Sequence, residues 1–275
     1  MDPEWLRLRE PADAAARSVL LTRRIRATHQ ACPLGAVTVV HDLGCGSGSL
    51  GRWLAPDLVG PQHWVLHDRD ADLLRLAESD PPLRSGNGAA VTVETRHVDD
   101  VTRLRPEALT GASLVTASAL LDMLTAEELL RLVRLCVAVG CPALVTISVT
   151  GLVELTPADP LDGAFSAAFN DHQRRTVAGR PLLGPDAVGE AVGLFRSMGA
   201  EVSTEPSPWQ LDARRPALTS QWLDGWVGAA CEQRPELTGA GSAYLTRRRA
   251  QLRAGLLRVT VHHLDLLVHP PPMGG

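Results

Sequence analysis

The stretch Val39-Val40-His41-Asp42-Leu43-Gly44-Cys45-Gly46-Ser47-Gly48-Ser49-Leu50 decides how this chain reads. A short apolar run ends at Leu43, three glycines alternate through Gly44, Gly46 and Gly48, and a helical pattern opens at Leu50. That order predicts a buried strand, a tight turn and a helix. Glycine accepts positive φ and lets backbone come close to a ligand. Open α/β sheets hold ligands beyond the carboxyl ends of their strands, near the point where the strand order reverses.

The elements outward from this turn repeat the alternation. Residues 3–28 read as one helix, with Trp5, Leu6, the alanines 14–16, Val19, Leu20 and Ile25 on its apolar face. Cys32-Pro33-Leu34-Gly35 breaks it. After the turn, a helix over 50–58 should end or kink at Pro56. Strands follow at 64–66, 91–98, 114–117 and 143–149. Asp70 caps a helix over 70–78, a loop spans 81–88, and Thr125 to Glu128 forms a capping box for a helix reaching Val139. Segment 154–185, with four prolines, reads as an insertion over a site. Then come a helix over 186–198 ended by Gly199, a strand at 202–205, helices over 218–232 and 243–257, a strand at 259–268 and a tail. Strands alternating with helices predict a doubly wound, Rossmann-like parallel sheet, with a last strand free to return antiparallel.

Composition narrows the chemistry. The chain has 275 residues, 45% of them hydrophobic, and a net charge of −4, so it has apolar surface for a core and no basic excess for nucleic acid. The run Arg247-Arg248-Arg249 reads as a solvated helix face. All positive residues are Arg. Without Lys the chain cannot form a Schiff base, a P-loop or the usual kinase site. Five cysteines (Cys32, Cys45, Cys136, Cys141 and Cys231) show no CxxC spacing and are expected as reduced thiols. No apolar run reaches a membrane span, and Met1–Glu10 lacks a signal-peptide stretch. A cytoplasmic protein is expected, with no membrane partner. No HExxH or cysteine cluster occurs, so no metal is expected.

Two ligands fit the turn. Gly46-Ser47-Gly48-Ser49-Leu50-Gly51 matches the nicotinamide fingerprint G-x-G-x-x-G. The other reading includes Asp42, two residues before the first glycine. A dinucleotide sets an anionic pyrophosphate there, which a buried carboxylate repels. S-adenosylmethionine (SAM) offers an ammonium and a sulfonium, so charge favours SAM.

The constellation resembles class I SAM-dependent methyltransferases, covering residues 38–150 well and the remainder in outline. The resemblance is nearest to small-molecule enzymes of the trans-aconitate methyltransferase type. It implies a sheet of about seven strands, the last antiparallel. It also implies that Asp42, Gly44, Cys45, Gly46 and Gly48 surround the methionine part of SAM. An acid at the end of the second strand should take the ribose hydroxyls; Asp68 matches, beside Arg69, and Asp70 is the alternative that would instead cap the next helix. An acid after the third strand should meet the adenine amino group; Asp100 fits, next to Val101, with Asp99 as alternate. Ser118 ends the fourth strand, where the segment lies beside the reactive methyl, and Asp122 takes a place where relatives often carry His, Gln or Asn. Asp122 is thus either a catalytic group or a residue capping the next helix.

The acceptor side is harder to read, because methyl transfer needs proximity and orientation first and a base only if the nucleophile must lose a proton. Phe165 and Phe169 at i, i+4 suggest a docked helix. Asn170, Arg174 and Arg175 would bind the acceptor, and His172 would be the base; the alternative is a solvated helix end. The N-terminal helix, with Trp5 and Arg9, would close over SAM. Trp222 and Trp226 read as core packing. One domain over 1–275 is expected, with 1–30 as a helical cap and 154–185 and 207–257 as insertions on the acceptor side. The expected reaction is methyl transfer from SAM to O, N or C of a small molecule. The alternatives are an NAD(P)-dependent oxidoreductase and a non-catalytic SAM-binding protein. An RNA or protein methyltransferase is disfavoured by the acidic charge and by Ser118-Ala-Leu-Leu, where an Asn/Asp-Pro-Pro-Tyr motif would stand.

Overall fold

The structure, a computed structural model, describes residues 2–30, 36–82 and 84–271. The Cys32–Gly35 break, Leu83 and the end of the tail at 272–275 lie outside the described residues. Helices α1 (Pro3–Ala16) and α2 (Val19–Gln30) precede β1 (Thr38–Leu43). Then follow α3 (Ser49–Leu54), β2 (Gln62–Asp68), α4 (Ala71–Ser79), β3 (Val91–His97), β4 (Leu114–Ser118), α5 (Ala126–Val139) and β5 (Ala143–Thr156). The second half holds α6 (Asp162–Gln173), a hairpin of β6 (Thr176–Val177) and β7 (Arg180–Pro181), and α7 (Ala187–Ser197). It closes with β8 (Glu201–Pro206), β9 (Trp209–Leu211), α8 (Pro216–Gln233), α9 (Thr238–Arg253) and β10 (Arg258–His269).

The main sheet runs β3-β2-β1-β4-β5-β10-β8, and β9 also pairs with β10. Strands β1 to β5 are mutually parallel, while β10 is antiparallel to its neighbours β5, β8 and β9. This is the expected Rossmann-like doubly wound sheet. From β1 the chain moves to β2 and β3 on one side and later to β4 and β5 on the other. The order therefore reverses at β1, the strand that carries Asp42. β1 is buried along most of its length because helices cover both faces of a parallel sheet. Leu21 and Ile25 of α2 share one core layer with Leu54, Leu58, Trp64 and Leu74. Leu129, Leu132 and Val133 of α5 share the other with Ala191 and Phe195 of α7. A third cluster joins Phe165, Trp222, Trp226 and Tyr244 from α6, α8 and α9 to Ala12 of α1. Trp222 and Trp226 stack at 5.3 Å within it, the core packing that their spacing suggested.

Several local expectations are met with small shifts. The Thr125–Glu128 capping box closes reciprocally, and Pro56 ends α3 in a 3-10 turn. The single helix expected over 3–28 is instead two. Arg17 turns out of helical geometry, the Ser18 amide donates to Asp265 Oδ2 at 2.8 Å, and Ser18 Oγ accepts from the Leu21 amide at 3.2 Å. A buried carboxylate 247 residues away thus takes a donor that would otherwise continue the helix. The strand expected at 143–149 runs on to Thr156, because β10 pairs with it through two register shifts. Ile147 sits in that stretch at φ 55°, a conformation that β-branched residues avoid. Its amide donates to Asp265 Oδ1 at 2.8 Å.

Candidate functional site

The glycine turn is closed by its own amides. Gly44 and Cys45 donate to the His67 carbonyl at 2.8 and 3.1 Å, and Gly48 donates to the Cys45 carbonyl at 2.9 Å. Gly46 donates to Asp68 Oδ2 at 2.8 Å. Gly44, Gly46 and Gly48 have φ of 69°, 55° and 80°, where a side chain is strained. A Cβ at Gly44 would also come 3.1 Å from Leu120 Cδ1. Arg52 of α3 holds the turn from behind by donating to the Ser47 carbonyl at 2.7 Å. It reaches Glu10 of α1 at 2.8 and 2.6 Å.

Above this turn lies a cavity of about 840 Å³. Its floor is the carboxyl ends of β1, β2 and β4, with Asp42, Asp68 and Ser118, and its roof includes Leu6, Arg9 and Asp13 of α1. Asp42 is buried, and Thr116 Oγ1 donates to its Oδ1 at 2.8 Å. Its Oδ2 is buried with no partner. Burial pushes the Asp42 carboxyl up to about 7, against the Thr116 hydrogen bond and the charge of Arg17. Asp68 accepts from the Gly46 amide and, through Oδ1 at 2.9 Å, from the Asp70 amide. It therefore sets the shape of the turn and still faces the cavity. Asp70 caps α4 by accepting from Asp72 and Leu73, the role foreseen for it, and it also lines the cavity.

Every cofactor residue expected from the sequence, apart from Gly48, lines this cavity: Asp42, Gly44, Cys45, Gly46, Asp68, Arg69, Asp100, Val101 and Ser118. Gly48 begins α3 one residue behind, with Ala77 packed against it. Asp100 and its alternate Asp99 both reach the wall. Asp100 is drawn into a short turn, accepting from the Thr102 amide and hydroxyl at 2.9 and 2.7 Å.

The proposed acceptor residues lie elsewhere. Asn170, His172, Arg174 and Arg175 are absent from the cavity wall, because each is engaged in packing α6. Asn170 Nδ2 donates to the Gly151 carbonyl at 2.8 Å. His172 Nε2 lies 3.3 Å from Glu232 of α8, and Arg175 donates to the His172 carbonyl at 2.8 Å. Arg174 forks onto Asp186 at 2.5 and 2.8 Å. Burial and the Arg175 charge hold the His172 imidazole below its usual range. Asp122 stands in a 3-10 turn, Leu121–Met123, whose neighbours Leu120, Met123 and Leu124 line the cavity while Asp122 itself does not. Burial pushes its carboxyl up to about 6. Of segment 154–185 only Arg180 touches the cavity among the described residues, and 207–257 contributes nothing to its wall.

Arg9 lines the cavity from α1, as expected of that helix. Three contributions were missed. Asp13 stands beside Arg9 in the roof; Arg9 forks onto it at 2.9 and 3.3 Å, and Trp209 Nε1 donates to its Oδ1 at 3.0 Å. Their i, i+4 spacing in the sequence was the available signal. Arg180, at the tip of the β6–β7 hairpin, forks onto Glu128 at 2.8 and 2.6 Å. The hairpin is thereby fastened to the start of α5 at the cavity rim. Behind the turn, His41 Nδ1 lies 3.0 Å from His67 Nε2 in a buried, stacked pair, and burial brings both imidazoles down to about 4.

No family model and no curated protein matches the chain. Solved structures similar to it include a SAM-dependent methyltransferase from Thiobacillus denitrificans in complex with S-adenosyl-L-homocysteine. That likeness covers 98% of this chain and 100% of the other, at 17% identity and a TM-score of 0.46. A SAM-dependent methyltransferase from Geobacter sulfurreducens, also with S-adenosyl-L-homocysteine, covers 98% and 99% at 17% identity and a TM-score of 0.44. A cyclopropane synthase from Mycobacterium tuberculosis covers 98% and 94% at 14% identity and a TM-score of 0.47.

Proposed function

We propose that this chain is a SAM-dependent methyltransferase that acts on a small molecule. One observation carries the reading: four amides of the glycine turn are already spent, while a carboxylate oxygen beside them is buried and open. The Gly44, Cys45, Gly46 and Gly48 amides all donate within the protein, so they are not free to cradle a pyrophosphate. Beside them Asp42 Oδ2 is buried without a partner, a costly state that a cationic group would relieve. An ammonium suits this site and a phosphate does not, which weighs against the nicotinamide reading despite its literal motif.

The residues present fit SAM. Asp42 would take the ammonium, and Asp68, already ordered by two backbone amides, would take the ribose hydroxyls. Asp100 or Asp99 would meet the adenine edge between Val101 and Leu120. When bound, SAM supplies an electrophilic methyl on a sulfonium. The chain's own contribution is to orient the reactants and keep water out. Leu6 lies 3.7 Å from the position of a Cβ on Gly46, so α1 roofs the turn directly. The volume falls in the upper part of the range for small-molecule sites, leaving room for an acceptor beside the donor. The acidic net charge favours a small acceptor over a nucleic acid. Neither expected base lines the cavity: Asp122 sits in the turn behind Leu120, Met123 and Leu124, and His172 is engaged by α8 and Arg175, so the reading assigns no general base and rests on orientation of the reactants. No helix among the described residues is long and apolar enough to cross a membrane.

Melting curves with SAM, S-adenosylhomocysteine, NAD and NADP test the reading. The two adenosyl-sulfur ligands should raise the melting temperature and the dinucleotides should not. Stabilisation by NAD or NADP alone would overturn it. A protein that binds SAM yet releases no S-adenosylhomocysteine with any acceptor would be a SAM-binding protein rather than an enzyme.

A further inference from the structure

Arg17, at the junction of α1 and α2, is 2% exposed. Its Nη2 donates to Ser49 Oγ at 3.3 Å and Ser118 Oγ at 3.2 Å, and both serines line the cavity. Ser118 Oγ also accepts from Thr146 Oγ1 at 3.0 Å. Arg17 Nε and Nη1 are buried and meet no acceptor, while the guanidinium lies 5.4 Å from the Trp53 ring centre. A guanidinium keeps its charge in a protein, and a buried one ordinarily rests on a carboxylate. The charges of Asp13, Asp42 and Asp265 all act on Arg17, yet none of them accepts a hydrogen bond from it. Asp13 is held by Arg9 and Trp209, and Asp265 by Ser18, Ile147 and Ser207. Asp42 leans on Thr116 and keeps one oxygen open.

The methionine end of the cavity therefore contains two unmet charges of opposite sign, an orphaned carboxylate oxygen and a buried cation behind two hydroxyls. An amino acid is a zwitterion that would satisfy both. We propose that Arg17 is the counter-charge for the α-carboxylate of the methyl donor, acting through Ser49 and Ser118, while Asp42 takes the ammonium. This inference rests on the donor assignment above. Arg17 is then a positioning residue: the hydroxyls touch the carboxylate, and the guanidinium polarises them and fixes their direction.

Calorimetry with three probes isolates the role. SAM has both charged groups, decarboxylated SAM keeps the ammonium but lacks the carboxylate, and methylthioadenosine lacks both. The wild type should prefer SAM over decarboxylated SAM on the order of 30-fold, the scale of a hydrogen bond to a charged group. Arg17→Met should reduce that preference to about 3-fold or less, with methylthioadenosine binding unchanged. If Arg17 served only to keep Asp42 ionised, or only to hold the fold, both charged ligands would weaken together and the preference would persist. That result overturns the proposal, as does a wild type with no preference. Should Arg17→Met not fold, the Ser49→Ala/Ser118→Ala double variant gives the same reading, and an intact preference there counts equally against it. A wild type that binds none of the three probes would instead refute the donor assignment itself.

Discussion

Replacing Asp42 with Asn should move stability and ligand binding in opposite directions. Burial raises the Asp42 carboxyl to about 7, well above the usual carboxylate range. The folded chain thus holds a proton there that the unfolded chain has lost, and native stability falls as pH rises from the unfolded value through the folded one. Between pH 5 and pH 8 this amounts to roughly 2–3 kcal/mol for a shift of that size. Asn has no charge to bury, and its Oδ1 can still accept from Thr116. The variant's own penalty for an unpartnered amide, ~1–3 kcal/mol, does not vary with pH. Urea unfolding of both proteins at pH 5 and pH 8 reads the difference of differences, in which the histidines cancel. The wild type should lose about 2–3 kcal/mol relative to Asp42→Asn over that range. In the same buffers S-adenosylhomocysteine should bind the variant ~30-fold or more weakly at pH 8, through loss of a charged partner. Wild-type affinity should fall as pH drops below about 7, where Asp42 takes up its proton. A stability difference independent of pH, or binding that survives the substitution, would refute the assignment of Asp42 as a buried carboxylate awaiting a cation.

The buried pair His41 and His67, both brought down to about 4, acts with the other sign. Their folded values lie below the unfolded one, so their contribution is complete above pH ~6.5 and is lost as pH falls toward 4, up to ~3 kcal/mol for each. A His41→Asn/His67→Asn variant should flatten the dependence of unfolding free energy on pH between 4.5 and 7, and an unchanged slope would rule the pair out as its source. Asp265→Ala leaves the Ser18 and Ile147 amides without an acceptor. A loss of roughly 2–6 kcal/mol is expected, seen in urea titrations, and a change below ~1 kcal/mol would mean that water replaces the carboxylate. Arg180→Ala unfastens the β6–β7 hairpin from Glu128, whose carboxyl the Arg180 hydrogen bonds hold down at about 2. A half-exposed ion pair is worth at most ~1 kcal/mol, so stability should scarcely change, while limited proteolysis at 176–181 should quicken. Equal cleavage rates would show that the hairpin is held by something else.

The division between what the sequence discloses and what it conceals follows sequence distance. Asp42, Asp68 and Asp100 could be placed on the cavity because each sits at or just beyond the end of a strand, and strand ends in a doubly wound sheet converge on the switch point. The glycine turn was legible because its hydrogen bonds close within the β1–α3 turn and onto the neighbouring strand β2. Arg17 could not be placed this way. Its partners Ser49 and Ser118 stand 32 and 101 residues off, and in the sequence it is one more Arg on a helix rich in them. The α6 cluster misled for the converse reason. Asn170, His172, Arg174 and Arg175 have the composition of a binding site, yet polar side chains at a contact between helices must also be satisfied. Here Glu232 engages His172, Asp186 takes Arg174, the His172 carbonyl takes Arg175 and the Gly151 carbonyl takes Asn170 Nδ2, while Asn170 Oδ1 stays buried without a partner. What differs is charge: the unmatched atom of that cluster is a neutral amide oxygen, whereas those flanking the turn belong to ionisable groups. An unmatched buried charge is the stronger sign of a ligand, and the two that flank the turn, Asp42 Oδ2 and the Arg17 guanidinium, are of opposite sign. A pocket built for an anion, or for a neutral nucleoside, would have no reason to keep both.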